Sequence, residues 1–501
     1  MPKTKAKLKP GDRAETLPNM LLTNPSLYQV NTRVWLSELS RELGRQATLD
    51  DIPDEFFEKL AQRGFAWIYF LSVWQTGKIG QKISQSHPGW KESFREDVPD
   101  LKDDEICGSG FAITKYTLHE HFGDSGALKR LHNRANQFGL KLMLDFVPNH
   151  TAIDHVWVES HPEYFVKGDE GAIEAAPQNY IRVGTEIFAH GRDPYFDGWP
   201  DTLQLNYGNP EFCSAMRQEI ARIATSCDGL RCDMAMLILP DVFLRTWNID
   251  IEPFWNITIG SIRNEHPDFT FMAEVYWDRE WDLQQLGFDF TYDKRLYDRL
   301  REGNVRKIRD HFLADIEYQK RSARFLENHD EPRAAGIFPF EQHKAAAVLT
   351  YLCPGLRFLH QGQFEGFRKR VSVHISRKPT EPVDKNVEMF YDELLSCLKL
   401  QVVHAGTWTL LECAPAWEGN WTSECFIAFS WTDENGYKVC AIVNYSDTQA
   451  QSYVRAPVSK DLRLTHIFSS ETSRTPLQIT NVSEAGFTVD LSPWGFIVLE
   501  M

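Results

Sequence analysis

The run Asp228-Gly229-Leu230-Arg231-Cys232-Asp233 reads as a β-strand that arrives at a charged end. Strand side chains alternate in direction, so Arg231 and Asp233 share one face while Leu230 and Cys232 share the other. An adjacent Arg favours the charged form of a carboxyl group, so the strand delivers an anionic, orientable Asp233. Three other stretches repeat this pattern of an apolar run ending in an acid. They are Leu142-Met143-Leu144-Asp145, Phe271-Met272-Ala273-Glu274 and Phe325-Leu326-Glu327-Asn328-His329-Asp330. Apolar strands that each end in polar groups are what a parallel barrel shows when its active site lies at the strand C-termini.

The rest of the chain is consistent with such a barrel. Leu27 to Leu36 has the β-branched and aromatic content of a first strand, Pro53 to Arg63 reads as a helix ended by Gly64, and 66–71 as a second strand. Ser72 to Gly110 has no clear period and reads as a long loop covering a site. Helix 124–137, strand 140–145, a polar aromatic insert over about 150–205, helix 210–226 and the Arg231 strand follow. Beyond it come strands at 270–274, 288–290, 323–327 and 356–360, with helices at 305–318, 342–352 and 386–401. Alternating strands and helices mean an α/β barrel or a doubly wound sheet. The barrel is preferred because no Gly-rich phosphate turn follows the first strand and the polar ends are spread over several strands. From about Thr407 the helical period disappears, and short strands separated by turns predict an antiparallel sandwich. The expected organisation is a tail over 1–25, a (β/α)8 barrel over 26–404 with the 150–205 insert after strand 3, and a C-terminal β-sandwich over 405–501.

A net charge of −16 over 501 residues argues against nucleic acid as a partner, which needs clustered Lys and Arg, and leaves a neutral small molecule as the natural ligand. The chain has nine cysteines, an odd number, with no C-x-x-C pair, so the expectation is buried free thiols rather than a disulfide or zinc framework. A basic, polar beginning and the lack of any long apolar run give the expectation of a cytoplasmic protein that binds no membrane.

If the strand ends meet at one rim, Asp233, Glu274 and Asp330 converge with His150, Arg231 and His329 around one pocket. Carboxylates crowded together cannot be equally acidic, and this divides the labour. Asp233, held by Arg231, stays ionised as a nucleophile, while Glu274, between Ala273 and Val275, takes the raised value of a proton donor. That pair suits retaining glycoside chemistry, and Asp330 beside His329 binds hydroxyls and stabilises positive charge. Two readings from other classes are a catalytically silent binding relative, which the intact acid trio opposes, and a metallohydrolase, which lacks grouped ligands here.

The segments DFVPNH (145–150), GLRCD (229–233), MAEVYW (272–277) and ENHDEPR (327–333), in this order, resemble the sequence regions of the α-amylase family, glycoside hydrolase family 13. PGLRFLHQGQ (354–363) resembles its eighth-strand region. The resemblance implies a (β/α)8 barrel, a domain B insert and a C-terminal sandwich. It implies an α-glucosidic hydrolase acting on a short α-glucan or α-glucoside, with a transferase or isomerase as the variant of the same chemistry. It also implies Asp233 as nucleophile, Glu274 as acid/base and Asp330 as transition-state stabiliser, with His150, Arg231 and His329 in contact with sugar. By the same resemblance Asp145 orders the site from the third strand and Arg333 does so from the loop after the seventh, where it is grouped with the substrate-binding residues. Phe111 stands where the family often places a stacking Tyr, and Met236 and Leu237 stand where many amylases carry a Lys-His pair. No cofactor is required by this chemistry, although Asn149 matches a position that binds calcium in many members.

Overall fold

The computed structural model describes residues 24–456, 465–470 and 478–501; the tail expected over 1–25 falls outside these but for its last two residues. Eight parallel strands close into a barrel: β1 (Ser26–Asn31), β2 (Trp67–Leu71), β3 (Lys141–Phe146), β4 (Gly229–Cys232), β5 (Thr270–Ala273), β6 (Phe290–Tyr292), β7 (Ser322–Arg324) and β8 (Leu356–His360). Each pairs with its neighbour in sequence, and β1 pairs with β8 to close the ring. Helices pack outside, as crossover connections between parallel strands require. The interior below the C-terminal rim is filled by aromatic rings. Tyr292 lies 5.2 Å from Phe325 and 5.7 Å from Phe358, which in turn lies 6.3 Å from Tyr69. These rings form a floor on which the polar rim rests.

Several elements depart from the sequence-based expectation. The strand expected over 27–36 stops at Asn31, because the Asn31 side chain accepts from the Val34 N–H and caps α1 (Thr32–Leu43). A β-branched, aromatic stretch was thus turned helical by one capping residue. After α2 (Asp54–Gln62) and β2, the expected loop 72–110 contains two helices, α3 (Lys78–Ser86) and α4 (Pro88–Asp97). His87 ends the first and caps the second, with Pro88 at the first helical position. The helix expected over 305–318 is two, Val305–Phe312 and Ile316–Lys320, since Asp315 caps the second. The short sixth strand lies at 290–292, two residues beyond its expected place.

The insert between β3 and β4 opens and closes on one antiparallel ladder, His150–Ala152 against Thr202–Gln204. This ladder ties both ends of the insert to the rim. At the far end of the chain, eight antiparallel strands follow the barrel: β9 (Thr407–Ala414), β10 (Phe426–Thr432), β11 (Lys438–Asn444), β12 (Ala450–Arg455), β13 (Thr465–Ser469), β14 (Gln478–Ser483), β15 (Gly486–Leu491) and β16 (Phe496–Glu500). The long β9 pairs with β10 through its first half and with β12 through its second, so it passes from one layer into the other. Phe426, Ala428, Cys440 and Ile442 face Val454, Phe487 and Val489 between the layers. The alternate residues Ile427, Phe429, Trp431 and Val443 join the barrel core. Both faces of β10 are therefore buried, which explains its unbroken apolar run.

Trp431 also donates from Nε1 to the Leu352 carbonyl at 2.7 Å. Trp431→Phe keeps most of the ring and removes the donor, leaving a buried carbonyl unpaired at a cost of about 1–3 kcal/mol. Urea unfolding should show that loss; an unchanged midpoint would mean that this bond contributes nothing. No helix among the described residues is long and apolar enough to cross a membrane.

Candidate active site

Parallel register sets the site. Arg231 on β4 lies opposite Asp145 on β3 and Met272 on β5, and it projects into the barrel, fully buried. Its Nη1 is 2.5 Å from Asp233 Oδ1 and its Nη2 is 2.7 Å from Glu274 Oε2. One guanidinium therefore gathers two carboxylates from adjacent strand ends. The Tyr292 hydroxyl lies 3.2 Å from Arg231 Nε, and the ring of Phe111 lies 5.2 Å from its centre. Aromatic faces on a guanidinium add attraction without adding charge.

Two residues outside the usual L-residue conformations complete the arrangement. Met234, just after Asp233, has φ 41°, and its N–H donates to Glu274 Oε2 at 2.8 Å. Ser72, just after β2, has φ 63°, and its N–H donates to Asp145 Oδ2 at 2.6 Å. Left-handed backbone at a non-glycine residue is costly and persists where surrounding contacts over-determine it. Here each strained turn aims a backbone donor at a buried acid. Asp145 also accepts from the Tyr69 hydroxyl, and its carbonyl accepts from Trp74 Nε1 at 2.7 Å. It belongs to the support of the site rather than to its open face.

Electrostatics separate the three acids. Burial pushes the Glu274 carboxyl up to about 7 against the pull of Arg231, and Asp233 and Asp330 add to the rise. Tyr276 donates its hydroxyl to the other Glu274 oxygen at 2.8 Å. Burial also raises Asp233, while the charge and hydrogen bond of Arg231 pull it back. The simple expectation that Arg231 alone governs Asp233 thus leaves out the larger effect, which is desolvation. Asp330 stands further out, with 43% of its side chain exposed. Burial raises its carboxyl, but His329, Arg231 and Arg370 outweigh that and hold it down at about 2. His329 is tethered on both sides, with Nε2 3.0 Å from Asp330 Oδ2 and Nδ1 2.9 Å from the Gln29 amide.

A cavity of about 250 Å³ touches His329 and Asp330 and is walled by Trp90, Phe94, Asp97 and Arg370. Its aromatic wall comes from α4, inside the stretch expected to be a covering loop.

The sequence profile of the alpha amylase catalytic domain matches residues 94–498. The chain belongs to the α-amylase family. Curated relatives include alpha-amylase 3 of Dictyoglomus thermophilum, 23% identical over 303 residues that cover 55% of this chain and 57% of that one. An alpha-glucosidase of Apis mellifera is 23% identical over 299 residues, 50% of this chain and 53% of its own. This chain thus spans little more than half the length of each of these two relatives. Among solved structures, a maltogenic alpha-amylase from Thermotoga neapolitana superposes with a TM-score of 0.68 at 19% identity, covering 96% of this chain and 99% of that one. That likeness concerns the fold.

Within this α-amylase family fold, Asp233, Glu274, Asp330, Arg231, His329 and Phe111 share one rim: the Phe111 ring, beside Arg231, lies 5.4 Å from that of His329 and joins the two groups. His150 sits at the start of the insert with its ring 5.0 Å from Trp199, and burial lowers its value to about 3, so it acts as a neutral imidazole. Arg333 is different. Its guanidinium binds Glu327 at 2.6 Å and the Gln361 carbonyl at 2.8 Å, so it joins the loops after β7 and β8 instead of reaching towards substrate. A buried cation is consumed by the nearest buried acid, and Glu327 lies only six residues away.

Asn149, buried at the foot of the insert, accepts the Gln204 amide at both its Oδ1 and its backbone carbonyl, each at 3.0 Å. Among the described residues no group of three His, Cys, Asp or Glu could hold a metal. Sequence reasoning missed Gln29, Tyr276, Tyr292 and Trp90. Tyr276 stands inside the quoted MAEVYW segment, so the signal was present but unassigned. Gln29 and Trp90 are brought near only by barrel closure and by α4.

Proposed function

We propose that this chain is a retaining α-glycosidase that cleaves α-glucosidic bonds in short α-glucans or α-glucosides. The observation that carries this reading is the single guanidinium of Arg231 shared by Asp233 and Glu274. Retaining enzymes need their two carboxyls about 5 Å apart, and acids close enough to share one guanidinium suit that requirement. Glu274, raised to about 7, donates its proton to the glycosidic oxygen as that bond breaks. Asp233 attacks the anomeric carbon and forms a glycosyl ester, and the departing alcohol takes up the proton. Glu274, now ionised, removes a proton from water, which attacks the same carbon and releases Asp233. Asp330, held ionised, offsets the positive charge on the sugar in both transition states. Phe111 provides an apolar face for the ring, His150 binds a hydroxyl, and His329 positions Asp330.

The names of the relatives, an alpha-amylase and an alpha-glucosidase, favour hydrolysis. Maltosyltransferases also occur among them, and they would differ in whether water or a sugar hydroxyl reaches the ester. Met236 and Leu237 are buried and apolar, which removes a polar grip on a long leaving chain and favours short substrates. All nine cysteines are free, which suits a reducing compartment such as the cytoplasm.

Three measurements test the reading. Activity on a natural disaccharide should fall as pH rises through about 7, because Glu274 must carry its proton. Glu274→Gln should lose about 10²–10⁴-fold on such bonds and far less on nitrophenyl glucosides, whose leaving group needs no proton. Equal losses on both would rule out the acid role. Products from maltose, isomaltose, sucrose, trehalose and maltoheptaose, resolved by chromatography, identify the linkage; no turnover of any of them would overturn the proposal.

A further inference from the structure

Five arginines are buried among the described residues. Arg231, Arg324 and Arg333 each have a carboxylate partner. Arg357 gives its guanidinium to the carbonyls of Tyr351, Asn24 and Val403, two of which lie at helix C-termini, where the backbone is electronegative. Arg33 has neither kind of compensation. It is 5% exposed, no carboxylate lies at ion-pair distance among the described residues, and its Nε–H has no acceptor. Its other nitrogens donate to the Gly108 carbonyl at 2.7 Å, Thr76 Oγ1 at 2.9 Å and Cys107 Sγ at 3.3 Å, all uncharged acceptors. It also lies in the first turn of α1, which carries no acid, so a cation stands at the positive end of a helix. A buried charge placed this way is unfavourable without an anion.

Space for one is at hand. Arg33 lines a cavity of about 540 Å³, the walls of which also carry Ser37, Gln75, Lys78, Gln81 and His121. Two exposed acids, Asp104 and Glu120, stand on the same walls. None of Asp233, Glu274 and Asp330 lines it, and the cavity is separate from the one beside Asp330.

We propose that this cavity binds a phosphate group, free or carried by a small polyol, with Arg33 as its central donor. Guanidinium, ammonium and imidazole groups on different walls match the several oxygens of a phosphate better than the two of a carboxylate. The remaining volume and the amides of Gln75 and Gln81 suit hydroxyl groups. The proposal is independent of the reaction assigned above.

The test is calorimetric titration of the full chain with inorganic phosphate, with glucose 6-phosphate and with glucose, at constant ionic strength. Saturable binding of one phosphate-bearing molecule is expected, with glucose alone silent at that site. Tighter binding of the sugar phosphate identifies a phosphorylated polyol as the ligand, and equal affinity identifies phosphate itself. Arg33→Gln should weaken binding about 10-fold or more, the worth of a charge-assisted bond. Ser37→Trp fills the cavity from a half-exposed face of α1 without touching the Arg33 contacts, and it should abolish binding while leaving circular dichroism unchanged. It decides the matter even if Arg33→Gln does not fold. Absence of saturation by both phosphates, or unaltered binding in a folded Ser37→Trp chain, overturns the proposal.

Discussion

Asp233→Ala is expected to lower turnover on any glucoside by about 10⁴-fold or more, while the chain still folds. The two halves of that expectation have different physical sources. Loss of activity follows because no other carboxylate among those at the rim stands where Asp233 stands: Glu274 is fixed by the Met234 N–H and the Tyr276 hydroxyl, and Asp330 by His329. Retention of the fold follows because Arg231 keeps Glu274 as its anionic partner. A fluorinated glucosyl reagent should accumulate as an ester on Asp233, read by mass spectrometry of the labelled peptide. Label on Glu274 or Asp330 instead would reassign the nucleophile.

The second large effect concerns stability. Arg231→Met removes the cation shared by two buried carboxyls, and breaking a buried pair by deleting one partner costs about 3–5 kcal/mol. The pH dependence distinguishes this cause from poor packing. Arg231 lowers both Asp233 and Glu274, so without it their folded values rise further above those of the unfolded chain. A carboxyl whose folded value is raised binds its proton more tightly in the native state. Its contribution is greatest below the unfolded value and is lost as pH rises through the folded one. The variant should therefore melt closest to wild type at the acid end of the range and progressively lower as pH rises through about 7 and above. A deficit independent of pH would show that the guanidinium matters for its volume and not for its charge.

Much of this site was legible beforehand because strands are local objects with a period of two. Alternation puts Arg231 and Asp233 on one face whatever surrounds them, and an apolar run ending in an acid marks a strand that reaches a polar rim. The errors arose where one residue outweighs a local average. Asn31 turned the end of an apparent strand into a helix cap, and His87-Pro88 started α4 inside a stretch without an obvious period. The resemblance groups Arg333 with the substrate contacts, whereas the folded loop brings its charge onto Glu327.

Sequence alone determined that four strand ends carry acids and that the chain alternates strand and helix before turning to short antiparallel strands. Those properties depend on residue type and spacing over a few positions. Barrel closure decided the rest, because burial and Coulomb forces act through space. It placed Asp233 and Glu274 on one guanidinium, raised Glu274 by desolvation, brought Gln29 to His329 across the chain, and left Arg33 buried beside a cavity with no acid among the described residues at ion-pair distance.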